Sequence, residues 1–325
     1  MASASELSRA LLDELRIAIA ESGVTRFDEP GAADSFVPPA KIPPDWAPFV
    51  GRALPSRPLA VAVDVYGTLL ASAAGEIGPG AAWTEAEESS GEADQPAGVD
   101  WLALFPHDMA DRLSALVAAD HELQRANGIP WPEVDAASIF ARALDLDLDD
   151  GARACVAWEC TTNACSAMQG AAEFLSTCAL GGLPLSIVSN AQFYTPLFLE
   201  EAFGARLYGG LRAGDRASSS PLALGFDPEL TLWSCETGRA KPDRWMFDEL
   251  ARRLAGRGIP AGRILYVGND ALNDCAAAGE AGLMTALFCG DERSCRFRAG
   301  DPRVSAHPPT TLALSWDDLR RIVCT

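Results

Sequence analysis

Three short apolar stretches of this chain each end abruptly on polar residues, and helical patterns lie between them. The stretches LAVAVD, LPLSIVS and RILYVGND predict strands over residues 59–64, 184–189 and 263–267. Their nearly continuous apolar character is typical of strands buried on both faces of a parallel sheet. The sequence therefore predicts an α/β fold in which polar groups gather at the carboxyl edge of the sheet, where open parallel sheets bind ligands.

The length and charge of the chain limit its organisation and its partners. The 325 residues exceed one minimal domain and suggest about two. The formal net charge of −19 argues against nucleic acid or an anionic membrane as a partner, because both are negatively charged. A small anionic substrate is compatible with this charge if local positive charge surrounds the site.

The amino-terminal segment and the cysteines favour a cytoplasmic protein. The segment MASASELSRALLDELRIAIAESG carries charges within its apolar periodicity, which predicts an amphipathic helix rather than a signal peptide. The apolar face of this helix could cover the chain's own core or a partner subunit, so a homodimer stays open. No apolar run approaches the ~18–20 residues that span a bilayer. The nine cysteines include no CxxC pair, which indicates reduced thiols rather than a zinc site.

Helical patterns also fill residues 101–167, upstream of the second strand. Apolar positions in DMADRLSALVAADHELQRANGI recur at helical spacing, and PEVDAASIFARALDLDLDD and residues 150–163 predict two further helices. Residues 81–99 are acidic and rich in small residues, which predicts a loop. Residues 1–57, with one helix and a proline-rich segment, form a predicted N-terminal extension.

The first strand ends at Asp64, which Val-Tyr-Gly-Thr follows. A carboxylate at this position can act as a nucleophile in covalent catalysis. The glycine permits a tight turn whose backbone N–H groups can face an anion. The same aspartate could also cap a turn, so this motif alone does not decide function.

Three further motifs follow along the chain. Ser189 and Asn190 end the second strand, where a hydroxyl beside backbone amides suits a phosphoryl or carboxylate oxygen. Lys241 precedes a proline that restricts its backbone, and its ammonium could offset the charge of nucleophile and substrate. Asp270 and Asp274 follow the third strand and open a helix. Each motif also has an ordinary interpretation, as loop or helix-cap chemistry.

The aspartates at the ends of the first and third strands predict a metal site. Asp64, Asp270 and Asp274 would raise one another's pKa if they converged without a cation. A hard divalent ion would neutralise them, and Mg²⁺ fits best because it keeps waters and shares ligands with an oxyanion.

Taken in order, the segments DVYGTLL, LSIVSN, GRAKPD and ILYVGNDALND resemble the haloacid dehalogenase (HAD) superfamily of hydrolases. The resemblance covers about residues 58–71 and 168–290. It implies a Rossmann-like parallel sheet core, an inserted helical cap domain and an aspartyl covalent intermediate. On this basis we expect the core at 58–71 and 168–325 and the cap at 72–167.

The resemblance also implies a role for each motif residue. Asp64 is the implied nucleophile, and Lys241 clamps the negative charge. The residues implied for substrate binding are Thr68, Ser189 and Asn190. The ligands implied for Mg²⁺ are Asp64, the backbone carbonyl of Tyr66, Asp270 and Asp274.

Tyr66 departs from the phosphatases of this superfamily, which usually carry a second aspartate two residues after the nucleophile. That aspartate protonates the leaving alkoxide and then activates water, whereas a phenol titrates at about 10 and is a poor base at neutral pH. Tyrosine at this place is similar to the 2-haloacid dehalogenases, whose halide leaving group needs no proton. Tyr66 therefore joins Asp64 and Lys241 as a candidate catalytic residue.

The fourth motif points the other way. Dehalogenases of the superfamily work without a metal and tend to carry a Ser-Ser-Asn-type turn where this chain has GNDALND. Asp270 keeps the metal-binding arrangement, although Asn269 replaces the usual glycine before it. The sequence thus favours Mg²⁺-dependent hydrolysis of a small phosphate ester or anhydride. Carbon–halogen hydrolysis and a non-catalytic binding protein on the same fold remain alternatives.

Overall fold

A computed structural model describes residues 7–24, 39–72, 101–208 and 223–324, so the loop predicted at 81–99 lies outside the described residues. The strands are β1 (Ala60–Val63), β2 (Leu70–Ser72), β3 (Cys165–Ala167), β4 (Leu185–Ser189), β5 (Arg206–Tyr208), β6 (Ala223–Phe226), β7 (Leu232–Trp233), β8 (Ile264–Gly268), β9 (Met284–Phe288) and β10 (Thr311–Ala313). The α-helices are α1 (Arg9–Ser22), α2 (Trp101–Leu104), α3 (Met109–Ala126), α4 (Ala136–Leu144), α5 (Leu148–Thr162), α6 (Ala171–Leu180), α7 (Thr195–Phe203), α8 (Ser234–Thr237), α9 (Trp245–Ala255), α10 (Ala277–Glu280), α11 (Pro302–Ala306) and α12 (Trp316–Cys324).

The described strands other than β2 and β3 form one sheet, in the order β10-β9-β8-β1-β4-β6-β5, and β7 pairs with the end of β4. Neighbouring strands run parallel throughout. The three strands predicted from the sequence, β1, β4 and β8, are adjacent at the centre of this sheet. The α/β fold with a Rossmann-like parallel sheet core is therefore confirmed.

Alternate residues of β1 enter two different apolar cores. Val61 and Val63 belong to one core, while Ala60 and Ala62 belong to the other, which also contains Tyr266 of β8. All four β1 residues are buried. Burial of each of the two valine side chains stabilises a fold by about 1.5–3 kcal/mol. Contacts on both faces of the sheet explain why the strand has no polar face until it ends.

The chain leaves the core after β2 and returns at β3, and these two strands pair antiparallel as a short ribbon. Helices α2 to α5 lie between them in sequence, which agrees with a helical insertion. The domain boundaries at 71/72 and 167/168 stay a prediction.

The two helices predicted over PEVDAASIFARALDLDLDD and residues 150–163 are present as α4 and α5, but α4 is shorter at both ends than predicted. Helix α4 ends at Leu144, and Asp145 adopts a left-handed conformation with φ 57°. The side chain of Asp147 then accepts a hydrogen bond from the backbone N–H of Asp150 at 2.9 Å and starts α5. Aspartates that compete for backbone donors thus end one helix and cap the next.

The predicted N-terminal helix is present as α1, and its apolar side is buried on the chain itself. Leu11, Leu15 and Ile19 join the core that contains α5 and α7. An ion pair at 2.8 Å also joins Glu14 to Arg153 of α5. A homodimer stays a prediction. Among the described helices, none has the length and apolar character needed to cross a membrane.

Candidate active site

A cavity of about 520 Å³ lies where the carboxyl ends of β1, β4 and β8 meet the cap helices. Its core side is polar and includes Asp64, Asn190, Lys241, Asp270 and Asp274. Its opposite wall is largely apolar and comes from α3, α4 and α5. The apolar side chains of that wall include Leu113, Val117, Ile139, Phe140 and Trp158. Four sequence motifs that are far apart along the chain thus meet in one cavity.

Four buried side chains form what we call the inner cluster: Asp64, Lys241, Tyr266 and Asp274. Lys241 Nζ lies 2.8 Å from Asp64 Oδ1 and 2.5 Å from Asp274 Oδ1. The Tyr266 hydroxyl lies 3.1 Å from both Lys241 Nζ and Asp274 Oδ1, and 2.7 Å from the carbonyl oxygen of Val188. One ammonium group therefore holds the proposed nucleophile and a second carboxylate together.

The charges of the inner cluster depend on one another. Burial alone would lower the pKa of Lys241, but the carboxylates of Asp274 and Asp64 outweigh it and raise that pKa. Burial raises the pKa of Asp274 to about 7, against the opposing effect of Lys241. Lys241 accordingly stays protonated.

The turn after Asp64 packs tightly on the end of β8. Gly67 has φ 75°, and a Cβ at this position would lie 2.4 Å from Asn269 Nδ2. Thr68 Oγ1 lies 3.3 Å from Asn269 Oδ1. Glycine is needed here both for its backbone conformation and for the close approach. The turn after Asp64 therefore contacts two neutral side chains, those of Asn269 and Ser294.

Asn190 lines the cavity and also fixes the backbone of Lys241. Its Nδ2 donates to the Lys241 carbonyl at 3.1 Å, and its Oδ1 accepts from the Lys241 N–H at 2.7 Å. Ser189 and Thr68 are both buried, and neither belongs to the described cavity wall. The substrate-binding roles of these three residues stay predictions, and the geometry gives Asn190 a positioning role as well.

Tyr66 lines the cavity but is 9% exposed. Its hydroxyl lies 3.0 Å from Thr195 Oγ1. Burial raises the pKa of Tyr66 well above its ordinary value, and the charge of Glu159 raises it further. The phenol therefore stays protonated at neutral pH and cannot take the place of an aspartate as general base.

Asp270 forms an ion pair with Arg298, and we call these two residues the rim pair. Arg298 donates to Asp270 Oδ2 from Nη2 at 2.7 Å and from Nε at 3.0 Å. Asp270 Oδ1 accepts from the backbone N–H groups of Leu272 and Asn273 at 2.8 and 3.1 Å. The Arg298 side chain is 43% exposed, so the pair lies at the edge of the site. No sequence motif singled out Arg298.

A family model of haloacid dehalogenase-like hydrolases matches residues 58–282, more than half of the chain. The chain belongs to this hydrolase family. The match begins just before β1 and ends before β9, so it includes Asp64, Lys241 and Asp274. The resemblance inferred from the four motifs is thus confirmed.

Solved structures similar to this HAD-like hydrolase carry differing descriptions. A 2-haloacid dehalogenase from Pseudomonas syringae pv. tomato has TM-score 0.48 and 17% identity, over 82% of this chain and 97% of that one. HAD-hydrolase YfnB from Bacillus subtilis, bound to magnesium, has TM-score 0.43 and 17% identity, over 83% of this chain and 100% of that one. A protein from Haemophilus somnus described as a predicted phosphoglycolate phosphatase has TM-score 0.38 and 15% identity, over 82% of this chain and 99% of that one. No curated protein matches.

Members of this family generally use Mg²⁺, yet the carboxylates of this HAD-like hydrolase do not fit the ion as they are arranged. Asp270 is held by Arg298 and backbone amides, and Asp274 by Lys241. Across residues 7–24, 39–72, 101–208 and 223–324, no group of three His, Cys, Asp or Glu side chains could hold a metal. The sequence spacing of Asp270 and Asp274 suggested that both bind one ion. In the structure, Arg298 pairs with Asp270 and Lys241 pairs with Asp274.

Two cap residues of the cavity wall have polar groups that sequence reasoning did not assign to the site. Glu159 is buried and accepts hydrogen bonds from Asn163 Nδ2 at 2.6 Å and the Tyr194 hydroxyl at 3.1 Å. Burial raises the pKa of Glu159. His121 Nε2 is buried without a hydrogen-bond partner among the described residues, and burial lowers the pKa of this imidazole. Both lie on helices whose sequence patterns indicate packing alone.

Proposed function

We propose that this HAD-like hydrolase cleaves the carbon–halogen bond of a small 2-halocarboxylate through an ester of Asp64. The observation that carries the proposal is the state of Tyr66. This residue occupies the place where a proton donor for an alkoxide would lie, yet its hydroxyl is buried against Thr195 and its pKa is raised. A halide leaves without a proton, so this site suits a halide leaving group better than an alkoxide.

The reaction has two steps at Asp64. One carboxylate oxygen attacks the carbon that bears the halogen, a carbon–oxygen bond forms, and the halide leaves with the bonding electron pair. Water then adds to the carbonyl carbon of the ester and releases a hydroxy acid and one proton, which restores the Asp64 carboxylate. Lys241, 2.8 Å from Asp64 Oδ1, orients the nucleophile for the first step.

The cavity supports a small anionic substrate with an apolar substituent. Lys241, Arg296 and Arg298 contribute positive charge to its wall, although the whole chain is strongly acidic. The opposite wall offers apolar side chains from the cap, which would exclude water from an alkyl group. These features favour a carboxylate on one side and a short carbon chain on the other.

Phosphate-ester hydrolysis with Mg²⁺, which the sequence favoured, is now the alternative. That preference assumed that Asp270 and Asp274 would be uncompensated without an ion. The structure instead pairs Asp274 with Lys241 and Asp270 with Arg298. The electrostatic reason for a divalent ion is therefore weaker. The absence of an aspartate at position 66 still argues against an alkoxide leaving group.

The test measures halide release from 2-chloropropionate and phosphate release from p-nitrophenyl phosphate, each with Mg²⁺ and with EDTA. Asp64→Asn removes the nucleophile, and Asp248→Asn makes the same change in an exposed ion pair with Arg244 as the matched control. We expect EDTA-insensitive halide release by the wild type and by Asp248→Asn. We expect a loss of at least about 10³-fold in Asp64→Asn.

A single turnover in H₂¹⁸O supplies a second measurement. If water attacks the ester carbonyl, mass spectrometry finds ¹⁸O in the peptide that contains Asp64. Phosphate release that requires Mg²⁺, without halide release, would instead support the phosphatase alternative. Neither activity in a folded protein would support a non-catalytic binding protein.

We also propose a cytoplasmic location. All the cysteines that the structure describes, namely Cys155, Cys160, Cys165, Cys178, Cys235, Cys275, Cys289 and Cys295, are free thiols. Free thiols are usual in a reducing compartment, which supports this proposal.

A further inference from the structure

We propose that Arg298 replaces a divalent cation in this enzyme and keeps such ions from Asp270. Sequence spacing marked Asp270 as a metal ligand, and the structure gives that carboxylate a guanidinium partner. The inference concerns ion binding, so it does not depend on which bond the enzyme cleaves.

The contacts of Asp270 leave little room for an ion. Arg298 Nη2 and Nε both donate to Oδ2, at 2.7 and 3.0 Å, and Asn273 Nδ2 lies 3.3 Å from the same oxygen. The other oxygen accepts two backbone N–H groups, as in a helix N-cap. An ion at Asp270 would have to displace the guanidinium or break the cap.

The segment that carries Arg298 is fixed to the site by backbone hydrogen bonds. Arg296 donates its N–H to the Asn269 carbonyl at 2.9 Å and accepts from the Ala271 N–H at 2.8 Å. Asn269 Nδ2 donates to the Ser294 carbonyl at 2.7 Å. This segment follows β9, beyond the residues that the family model matches. These hydrogen bonds fix the backbone of Arg296, and Arg298 lies two residues after it.

Two protein cations offset most of the negative charge of the site without an ion. Asp64, Asp270 and Asp274 carry up to three negative charges, and Lys241 and Arg298 supply two positive charges. Lys241 is present in either case, so Arg298 supplies one positive charge where a divalent ion would bring two. A guanidinium is permanently charged and binds one carboxylate, whereas Mg²⁺ requires several oxygen ligands with near-octahedral geometry.

The experiment measures Mn²⁺ binding by electron paramagnetic resonance of the free ion, because Mn²⁺ takes the same oxygen ligands as Mg²⁺. The proteins are the full-length wild type, Arg298→Gln and Arg244→Gln. Arg244 is a matched control because it forms a comparable arginine–aspartate pair with Asp248 on an exposed helix. We expect weak, non-saturable uptake by the wild type and the control. We expect at least about tenfold tighter, one-site binding by Arg298→Gln, a difference worth about 1.4 kcal/mol.

A second substitution locates the gained site. Adding Asp270→Asn to Arg298→Gln should abolish the tight binding, while circular dichroism checks that each variant is folded. Arg298→Lys should exclude the ion more weakly than arginine, since lysine is a point charge without the planar fork.

Three results would overturn the inference. They are one-site Mn²⁺ binding by the wild type, no gain in a folded Arg298→Gln, and a gain that survives Asp270→Asn. Halide release is not measured here, so a failure of the proposed reaction leaves this test unaffected.

Discussion

Asp274 and Asp270 lie four residues apart in sequence, yet the structure treats their charges differently. Asp274 is fully buried in the inner cluster, where Lys241 and Tyr266 contact it. Asp270 belongs to the rim pair, and its partner Arg298 is 43% exposed. Two aspartates that follow one strand thus differ in their partners: Asp274 is paired with a buried lysine, whereas Asp270, itself 7% exposed, is paired with an arginine that reaches solvent.

The difference matters because the energy of an ion pair depends on its surroundings. Removing one member of a buried pair leaves a charge in low dielectric, whereas water screens the remaining member of an exposed pair. We therefore expect the inner cluster to dominate stability and the rim pair to influence ion selectivity. The following substitutions test that contrast.

The largest effect should come from Lys241→Met, which leaves Asp64 and Asp274 without their shared cation. We expect the free energy of unfolding at pH 7 to fall by about 3–5 kcal/mol. Urea denaturation measures the change, and Arg244→Met, in an exposed pair, is the control. A loss below about 1 kcal/mol, as for a surface pair, would remove the contrast.

Tyr266→Phe should have the next largest effect within the inner cluster. The hydroxyl lies 2.7 Å from the Val188 carbonyl and also contacts Lys241 and Asp274. Its removal leaves a buried carbonyl with one partner fewer, which should cost about 1–3 kcal/mol. Urea denaturation again gives the value, and an unchanged midpoint would show that the hydroxyl does not support the cluster.

Glu159→Gln tests a buried carboxyl whose named partners, Asn163 and Tyr194, are neutral. Its folded-state pKa is raised by burial, so its contribution is complete below the unfolded-state pKa of about 4.3 and is lost as pH rises through the folded-state pKa. The free energy of unfolding of the wild type should therefore fall over this range, by up to about 1.4 kcal/mol per pH unit for one proton.

The measurement is urea denaturation at a series of pH values above about 4.3. Glu159→Gln should flatten the slope, while Glu292→Gln, at an exposed position, should retain it. Parallel curves for the wild type and Glu159→Gln would contradict the prediction.

The smallest effect on stability should come from Arg298→Gln in the rim pair. Arg298 is 43% exposed, and two backbone N–H groups still bind Asp270 after the substitution, so the expected change in unfolding free energy is about 1 kcal/mol or less, with a further reduction at high salt. Comparison of urea midpoints at low and high salt checks this. A loss as large as that of Lys241→Met would place the rim pair with the inner cluster.

Much of the site could be predicted from the strand ends. Because parallel strands present their carboxyl ends at one edge, Asp64, Asn190 and Asp274 had to approach one another once the strands were identified. The contact between Lys241 and Asp64 also agrees with the inferred clamp. These placements follow from the apolar patterns of the strands, which are compatible with few structures other than a buried parallel sheet.

Other features could not be predicted because they depend on contacts between distant segments. Arg298 follows Asp270 by 28 residues and reaches it through backbone pairing of Arg296 with Asn269 and Ala271. Glu159 lies in a helix whose pattern indicates only packing, and its burial follows from cap geometry.

The sequence alone determined the parallel sheet, the hydrolase family and the group of aspartates at the strand ends, since burial and strand direction are encoded locally. The tertiary structure decided how those aspartates are neutralised. Charge compensation depends on which cation lies within about 3–4 Å, at a range where Coulomb energy changes steeply. Neither spacing nor composition specifies that distance, so the partners of Asp270 and Asp274 became clear only after the chain had folded.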